Sequence, residues 1–322
     1  MRSLLWALGL SVLAAQAASA QDYPSRPITI VVPFAAGGPT DTLARVLAER
    51  MRTALGQTVI VENVPGASGS LGVGRVARAA GDGYTIGIGQ WDTHVVNGAI
   101  YRLAYDLLND FEPIALLPSN PQLIVTKKDL PAHTLQQLIA WLRDNPDKGS
   151  QGTAGAGSAA HVSGAYFQKT TGTRFQFVPY RGAGPAMQDL VAGQIDLMFD
   201  QASNALPHVR NGRVRAHAVT AKTRLAAAPE IPTVDEAGLP GFYVSIWRGF
   251  WAPKFTPRDV VDKLSQAVAE TLADADVRKR LAELGQDIPP RDQQTPQALA
   301  AHHRAEVEKW WPVIKAANIK AD

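Results

Sequence analysis

A short apolar run, a glycine-rich turn and a helix start follow one another in two successive series along this chain, and that order constrains the fold more than any other feature. Residues 28–34 read as a strand. A helix over 40–55 follows, in which Leu43, Val46, Leu47, Met51 and Leu55 recur at helical spacing. Thr40 is its expected cap, Asp41 suits its positive end and Gly56 stops it. A strand at 59–62, a short helix at 72–80 and a strand at 84–89 complete the first series. The second starts after Asn120, with strand 123–126, helix 134–145, strand 149–154 and a helix ending near Thr171. Strand 175–180, helix 185–192 and strands 194–200 and 214–220 close it. This alternation predicts two α/β domains with mostly parallel sheets. Residues 241–253 look extended and aromatic. Residues 257–273, 275–284 and 296–317 read as helices without strands for a third sheet, so they are expected to pack back on the first domain.

The N-terminus and the totals narrow the class. Arg2, the apolar residues 4–18 and Ala18-Ser19-Ala20 make a secretory leader, expected to be cut after Ala20. Its apolar stretch is too short and too rich in Ala and Ser to span a bilayer well. Residues 21–322 then form an exported protein of about 302 residues, long enough for two cores. The formal charge of +3 at pH 7 includes no basic run, so nucleic acid and anionic membrane are poor partners. The absence of cysteine excludes disulfides, thiolate catalysis and thiolate metal sites.

Strand-glycine-helix junctions fall at 35–40, 155–158 and 181–185. In a parallel sheet they sit at the carboxyl ends of strands, where ligands bind, and each presents backbone N–H groups at a positive helix end. Two such lobes face to face would hold a small anion mostly by main-chain donors. Ordinary tight turns explain the same glycines, but three junctions with Ser158, Asp41 and Arg181 beside them favour a site. No Walker lysine follows any of these loops. Gly72-Val-Gly74-Arg-Val-Ala77 fits a dinucleotide fingerprint only formally, because it lies too far from its strand. No G-x-S-x-G elbow or H-E-x-x-H occurs, and the adjacent His302 and His303 cannot share a helix face. No cofactor and no metal are expected. Ser158, His161 and Asp200 can be arranged on paper as a hydrolytic triad, but a cap or ligand hydrogen bond is the plainer role for Ser158 and His161. Trp91 follows a strand end in a polar turn and is placed to wall a ligand; core packing is the default for Trp247, Trp251, Trp310 and Trp311.

Several motifs occur in one order along nearly the whole chain. They are Pro-Phe-Ala-Ala-Gly-Gly-x-x-Asp-x-x-Ala-Arg at 33–45, Pro65-Gly-Ala-x-Gly69, Asp82-Gly-Tyr-Thr85 and Thr93-His94-x-x-Asn97-x-x-x-Tyr101. Gly-x-Gly-Ser-x-x-His at 155–161, Pro179-Tyr-Arg-Gly182, Asp189-Leu-x-x-Gly-Gln-x-Asp196, Phe199-Asp200 and Leu239-Pro-Gly-Phe242 follow. In these the sequence resembles the Bug family, the periplasmic solute-binding receptors of tripartite tricarboxylate transporters. The resemblance implies a type II periplasmic-binding-protein fold, with two α/β lobes joined by two crossing strands near 118–122 and 242–247. It divides the chain into lobe 1 at 21–120, lobe 2 at 121–244 and a return to lobe 1 at 245–322.

It also implies a monomeric periplasmic receptor of a Gram-negative cell, with a small carboxylate as ligand and membrane permease subunits as partners. The implied ligand residues are Phe34, Ala35, Ala36, Gly37 and Gly38, with Asp41 ordering their loop, and Ser68, Gln90, Trp91, Thr93 and His94 in the same lobe. The other lobe contributes Thr153, Gly157, Ser158, His161, Tyr180, Arg181, Gly182 and Asp200, the last for an amino group, a hydroxyl or a water. One carboxylate is expected to reach lobe 1 through water and backbone. The turn before His94 departs from the small residues usual in the family, since it reads Gln90-Trp-Asp92. Trp91 there would narrow the cleft or stack on an aromatic acid, and Asp92 would repel a carboxylate unless it points away, so the ligand is expected to be a small mono- or dicarboxylate, aromatic or not. Two alternatives stand beside this reading: an exported hydrolase using Ser158 and His161, and a receptor that reports to a sensor protein.

Overall fold

The structure, a computed structural model, describes residues 23–316. The expected leader and the last residue of the expected C-terminal helix lie outside the described residues.

Strand β1 (Ile28–Val32) is an unbroken β-branched run, as a strand covered on both faces requires. Helix α1 (Pro39–Leu55) follows it and buries Leu43, Leu47, Met51 and Leu55 along one stripe. Gly38, not Thr40, is its N-cap, Pro39 opens it with no N–H to lose, and Gly56 ends it in the left-handed conformation. Strand β2 (Val59–Asn63), helix α2 (Ser70–Ala77) and strand β3 (Thr85–Gln90) follow, and β2 and β3 flank β1 in parallel. After β3 the chain winds through a π-helical turn at Asp92–Val96 into the short helix α3 (Asn97–Ile100).

Strand β4 (Phe111–Lys127) then runs without interruption from one lobe to the other. Residue pattern alone marks only its end, 123–126, as a strand, because Pro113, Pro118 and Pro121 look like breaks; the crossing expected near 118–122 from the family resemblance also falls within it. The chain accommodates them by register shifts between Pro113 and Ala115 and between Leu117 and Asn120. The second lobe comprises α4 (Leu135–Asp144), β5 (Ser150–Thr153), α5 (Ala159–Thr171), β6 (Gln176–Pro179), α6 (Ala183–Val191), β7 (Leu197–Gln201), α7 (Ala202–Arg210) and β8 (Val214–Val219). β5 pairs in parallel with β6 and β7, whereas β4 pairs antiparallel with β7 and β8. Strand β9 (Ser245–Pro253) returns, antiparallel to both β4 and β3.

The crossing strands join the two half-sheets into one nine-stranded path, β2-β1-β3-β9-β4-β7-β5-β6, with β8 beside β4. The C-terminal helices α8 (Arg258–Ala273), α9 (Ala275–Glu283) and α10 (Pro296–Ala316) carry no strand. Val260, Leu264, Val268, Leu272 and Leu281 join β1 and α1 in one core, and Leu299, Val307 and Ile314 join Trp91, Trp247 and Trp251 in another. Two further cores lie on opposite sides of the second half-sheet. Each lobe therefore has helices on both faces of its sheet, and the carboxyl ends of the parallel strands of both lobes face a shared cleft.

Candidate ligand site

The cleft holds a cavity with about 400 Å³ of space between the atoms, part of it continuous with solvent. The first lobe lines it with Phe34, Gly38, Thr40, Gln90 and Asp92. Gln122 enters from β4, and Ser158, Ala159, Phe199, Asp200 and Gln201 face them from the second lobe. The starts of α1, α5 and α6 converge here, because each follows a parallel strand through a short glycine-containing turn.

The two lobes are in contact around this cavity. Ala35 N donates to Arg181 O at 3.1 Å, Tyr101 Oη to Ala156 O at 2.6 Å and Ala159 N to Asp92 Oδ2 at 2.8 Å. The backbones approach so closely that a Cβ on Gly184 would stand 3.0 Å from Ala36 O. Glycine is required there by the facing chain and not by its own torsion angles.

Asp41 is buried, but its carboxylate is consumed inside its own loop, accepting from Gly37 N at 2.9 Å, Asn63 Nδ2 at 2.9 Å and Arg45 Nε at 3.0 Å. Burial works against its charge, yet those donors hold it below the usual carboxylate range. Thr40 Oγ1 donates to Gln90 Oε1 at 2.7 Å, which aims both side chains at the cavity.

Ser158 caps α5 by accepting from His161 N, and His161 Nδ1 accepts from Gly157 N at 3.0 Å. The Nδ1 lone pair is therefore directed at the backbone and not at Ser158 Oγ. Thr153 Oγ1 accepts from Gly155 N, and Tyr180 Oη donates to Asp189 Oδ2 at 2.7 Å. Ala36, Gly37, Arg181 and Gly182 serve the contact between lobes.

Several expected ligand residues lie elsewhere. Trp91 is 4 % exposed and packs edge-to-face on Trp310, with centroids 5.1 Å apart, because the π-helical turn directs it into the core under α10. The support for an aromatic acid goes with it. The His94 ring stacks on Trp251 at 3.8 Å, and burial drives its pKa well below the ordinary value, so it is a neutral core residue. Thr93 Oγ1 donates to Gln90 O and receives Gln90 N, closing the turn. Ser68 is buried beside Gly155 at the lobe contact and does not line the cavity.

The charges at the cavity differ from expectation. Asp92 is fully buried and accepts from Ala159 N, from Thr93 N at 2.9 Å and from the Gln90 side chain. It occupies the start of α5, where an anion was expected. Burial raises its pKa despite those donors. Asp200 accepts from Gln201 N at 2.9 Å and Asn204 Nδ2 at 2.6 Å, and burial pushes its pKa up to about 7. Arg248, on β9 opposite Gln90, is wholly buried. Burial brings its pKa down to about 9 against the pull of Asp92, so it stays charged at neutral pH. Sequence reasoning missed Gln122 and Gln201 at the cavity, and the buried Arg248, which pairs with Gln90 without lining it. The one available signal for Arg248 was a lone cation in the aromatic strand Ser245–Pro253. Among the described residues no group of acidic or histidine side chains is arranged to hold a metal ion.

Two α/β lobes joined by two antiparallel strands and closed on a cavity at their helix starts define a two-lobed solute receptor of the type II periplasmic-binding fold. Residues 43–319 match the family described as tripartite tricarboxylate transporter family receptor, and the chain belongs to that family. It is similar to the periplasmic binding protein BugD, with 41% identity and a TM-score of 0.89 over 92% of this chain and 99% of that one. MatC from Rhodopseudomonas palustris, with bound malate, is 41% identical with a TM-score of 0.87, covering 91% of this chain and 100% of MatC. R. palustris Rpa4515, with adipate, is 35% identical with a TM-score of 0.88, covering 93% of this chain and 99% of that one. Among the described residues no helix is long and apolar enough to cross a membrane.

Proposed function

We propose that this chain is a periplasmic receptor that captures a small carboxylate between its lobes and delivers it to the membrane subunits of a tripartite tricarboxylate-type transporter. The observation that carries this reading is the closed cleft, whose cavity of about 400 Å³ lies where three helix starts and the crossing strand β4 meet. The malate and adipate held by two similar proteins are small carboxylates of the class proposed here.

Within this reading residues 21–120 and 245–322 form one jaw and 121–244 the other, with β4 and β9 as the hinge. Gly38, Gln90, Ser158 and Asp200 face the ligand, and Asp41 orders the first loop. The chain acts by binding and releasing. A hydrolase built on Ser158 and His161 has little support, because Ser158 Oγ and His161 Nδ1 each engage backbone N–H groups.

The test is calorimetry and thermal shift on protein stripped of ligand by unfolding and refolding. The panel is malate, succinate, glutarate, adipate, 3-hydroxybutyrate and benzoate. At least one acid should bind and raise Tm, with unchanged acid recovered afterwards. Silence across the panel, or turnover of a bound acid, would sink the proposal.

A further inference from the structure

On the receptor reading the cleft receives an anion, yet the charged side chains among the residues lining its cavity are Asp92 and Asp200, and none is cationic. Both are buried. A ligand carboxylate adds a further negative charge to a space of about 400 Å³. Buried walls screen such charges far less than water does. Carboxylates confined together do not all stay ionised, and one of them takes a proton.

The surroundings decide which acid takes it. Asp92 receives three donors, Ala159 N, Thr93 N and the Gln90 side chain, and it lies within charge reach of Arg248. Asp200 receives two, Gln201 N at Oδ1 and Asn204 Nδ2 at Oδ2. Burial outweighs them and raises its pKa from 3.8 to about 7, with no charged neighbour contributing. β4, β5, α5, α6 and α7 pack against β7. In this lobe their charged or histidine side chains are Lys127, His161, Lys169, Asp189, His208 and Arg210, and all of them stand off the cavity lining. Lys127 pairs with Asp196, Asp189 accepts from Tyr180 Oη, and His161 Nδ1 accepts from Gly157 N. From the facing lobe the charged residue at the lining is Asp92. Each oxygen of Asp200 keeps a second lone pair, so a proton there leaves both existing hydrogen bonds in place and adds an O–H donor.

We infer that Asp200 meets a captured carboxylate as the neutral acid, so that capture takes one proton from solvent onto Asp200 and release returns it. The inference rests on the receptor reading and adds a proton to what the cleft binds. Charge then balances without a cation. Above neutral pH the ionised groups before capture are Asp92 and Asp200, and those after it are Asp92 and the ligand carboxylate. Capture is therefore strongest on the acid side of neutrality and weakens as pH rises.

The experiment is calorimetry with the panel acid that binds best, at pH 6.5, 7, 7.5, 8 and 9. Each pH is run in two buffers of different ionisation enthalpy, which counts the protons taken up per ligand bound. Wild type should take up about 0.2 proton at pH 6.5 and about 0.9 at pH 8, and its Kd should rise about 8-fold over that interval. Asp200→Asn cannot titrate, so it should bind without proton uptake and with a Kd that moves less than about 2-fold. A wild-type Kd that stays flat from pH 6.5 to pH 9, with no proton uptake, overturns the inference and leaves the receptor reading intact. Uptake in Asp200→Asn equal to that of wild type also overturns it, because the proton then belongs to another group. Should Asp200→Asn fail to fold or to bind, Asn204→Ala decides. That variant removes a donor from the ionised Asp200, so the rise in proton uptake should move to higher pH, and an unmoved rise overturns the inference. Absence of binding by any acid to wild type at pH 6.5 overturns the receptor reading and this inference together.

Discussion

Asp200 gives the most direct test of the electrostatics of the cleft. Its side chain is 2 % exposed, and its two oxygens receive one donor each, Gln201 N and Asn204 Nδ2. Two donors do not replace the hydration that burial removes, so the pKa rises from 3.8 to about 7. The sign of the linkage follows directly. Between these values the unfolded chain has released a proton that the folded chain retains, so stability falls as pH rises. The slope is about 1.4 kcal/mol per pH unit, and the full difference is on the order of 4 kcal/mol, reached above about pH 8.

Asp200→Asn lacks this titration. It carries a constant cost, because one amide N–H now faces the Asn204 amide. The quantity to measure is therefore the stability of Asp200→Asn minus that of wild type, from urea unfolding of ligand-free protein at pH 5, 6, 7 and 8. That difference should grow by about 2 kcal/mol between pH 5 and pH 7 and flatten toward pH 8. Other titrating groups are common to both proteins and cancel. A difference constant across this range would show that Asp200 is not perturbed by burial. A difference that shrinks with rising pH would show that the carboxylate is stabilised by its surroundings, which would refute the reasoning.

Three further outcomes follow from contacts at and near the cleft. Asp92→Ala strips the acceptor from Ala159 N and Thr93 N and leaves Arg248 without its offsetting charge, so it should cost about 3–5 kcal/mol in urea unfolding; a loss under about 1 kcal/mol would contradict the buried arrangement. Gly184→Ala places a Cβ 3.0 Å from Ala36 O across the cleft, so it should weaken binding of the best panel acid by about 5- to 150-fold while Tm of the ligand-free protein changes little. Phe255 is 80 % exposed with φ of 66°, a region that asparagine tolerates better, so Phe255→Asn should raise stability by about 0.5–1 kcal/mol, measured by thermal or urea melts.

The sequence announced the parts of this molecule that are made locally. Gly56 and Gly172 in left-handed caps and Ser158 at an N-cap each write a helix end into three or four neighbouring residues. The three glycine-containing turns are legible for the same reason. The extent of β4 was hidden, because Pro118 and Pro121 suppress strand propensity where pairing with β9 overrides it. Trp91 was misplaced because a single π-helical turn, which no residue type announces, rotates the side chain from the cleft into the core. The same distinction separates the legible half of the site from the other half. Phe34, Gly38 and Ser158 reach the cavity from loops, whereas Gln122 and Gln201 reach it through strand register with partners far away in sequence. Asp92 was visible but its partner was not, since only lobe contact brings Ala159 N near. On the proposed reading the loops set where a ligand sits, and the paired strands set which further side chains meet it. Specificity in a cleft of this kind is to be sought on β3, β4 and β7, where Gln90, Gln122 and Asp200 can be altered without disturbing the glycine turns on which the jaws close.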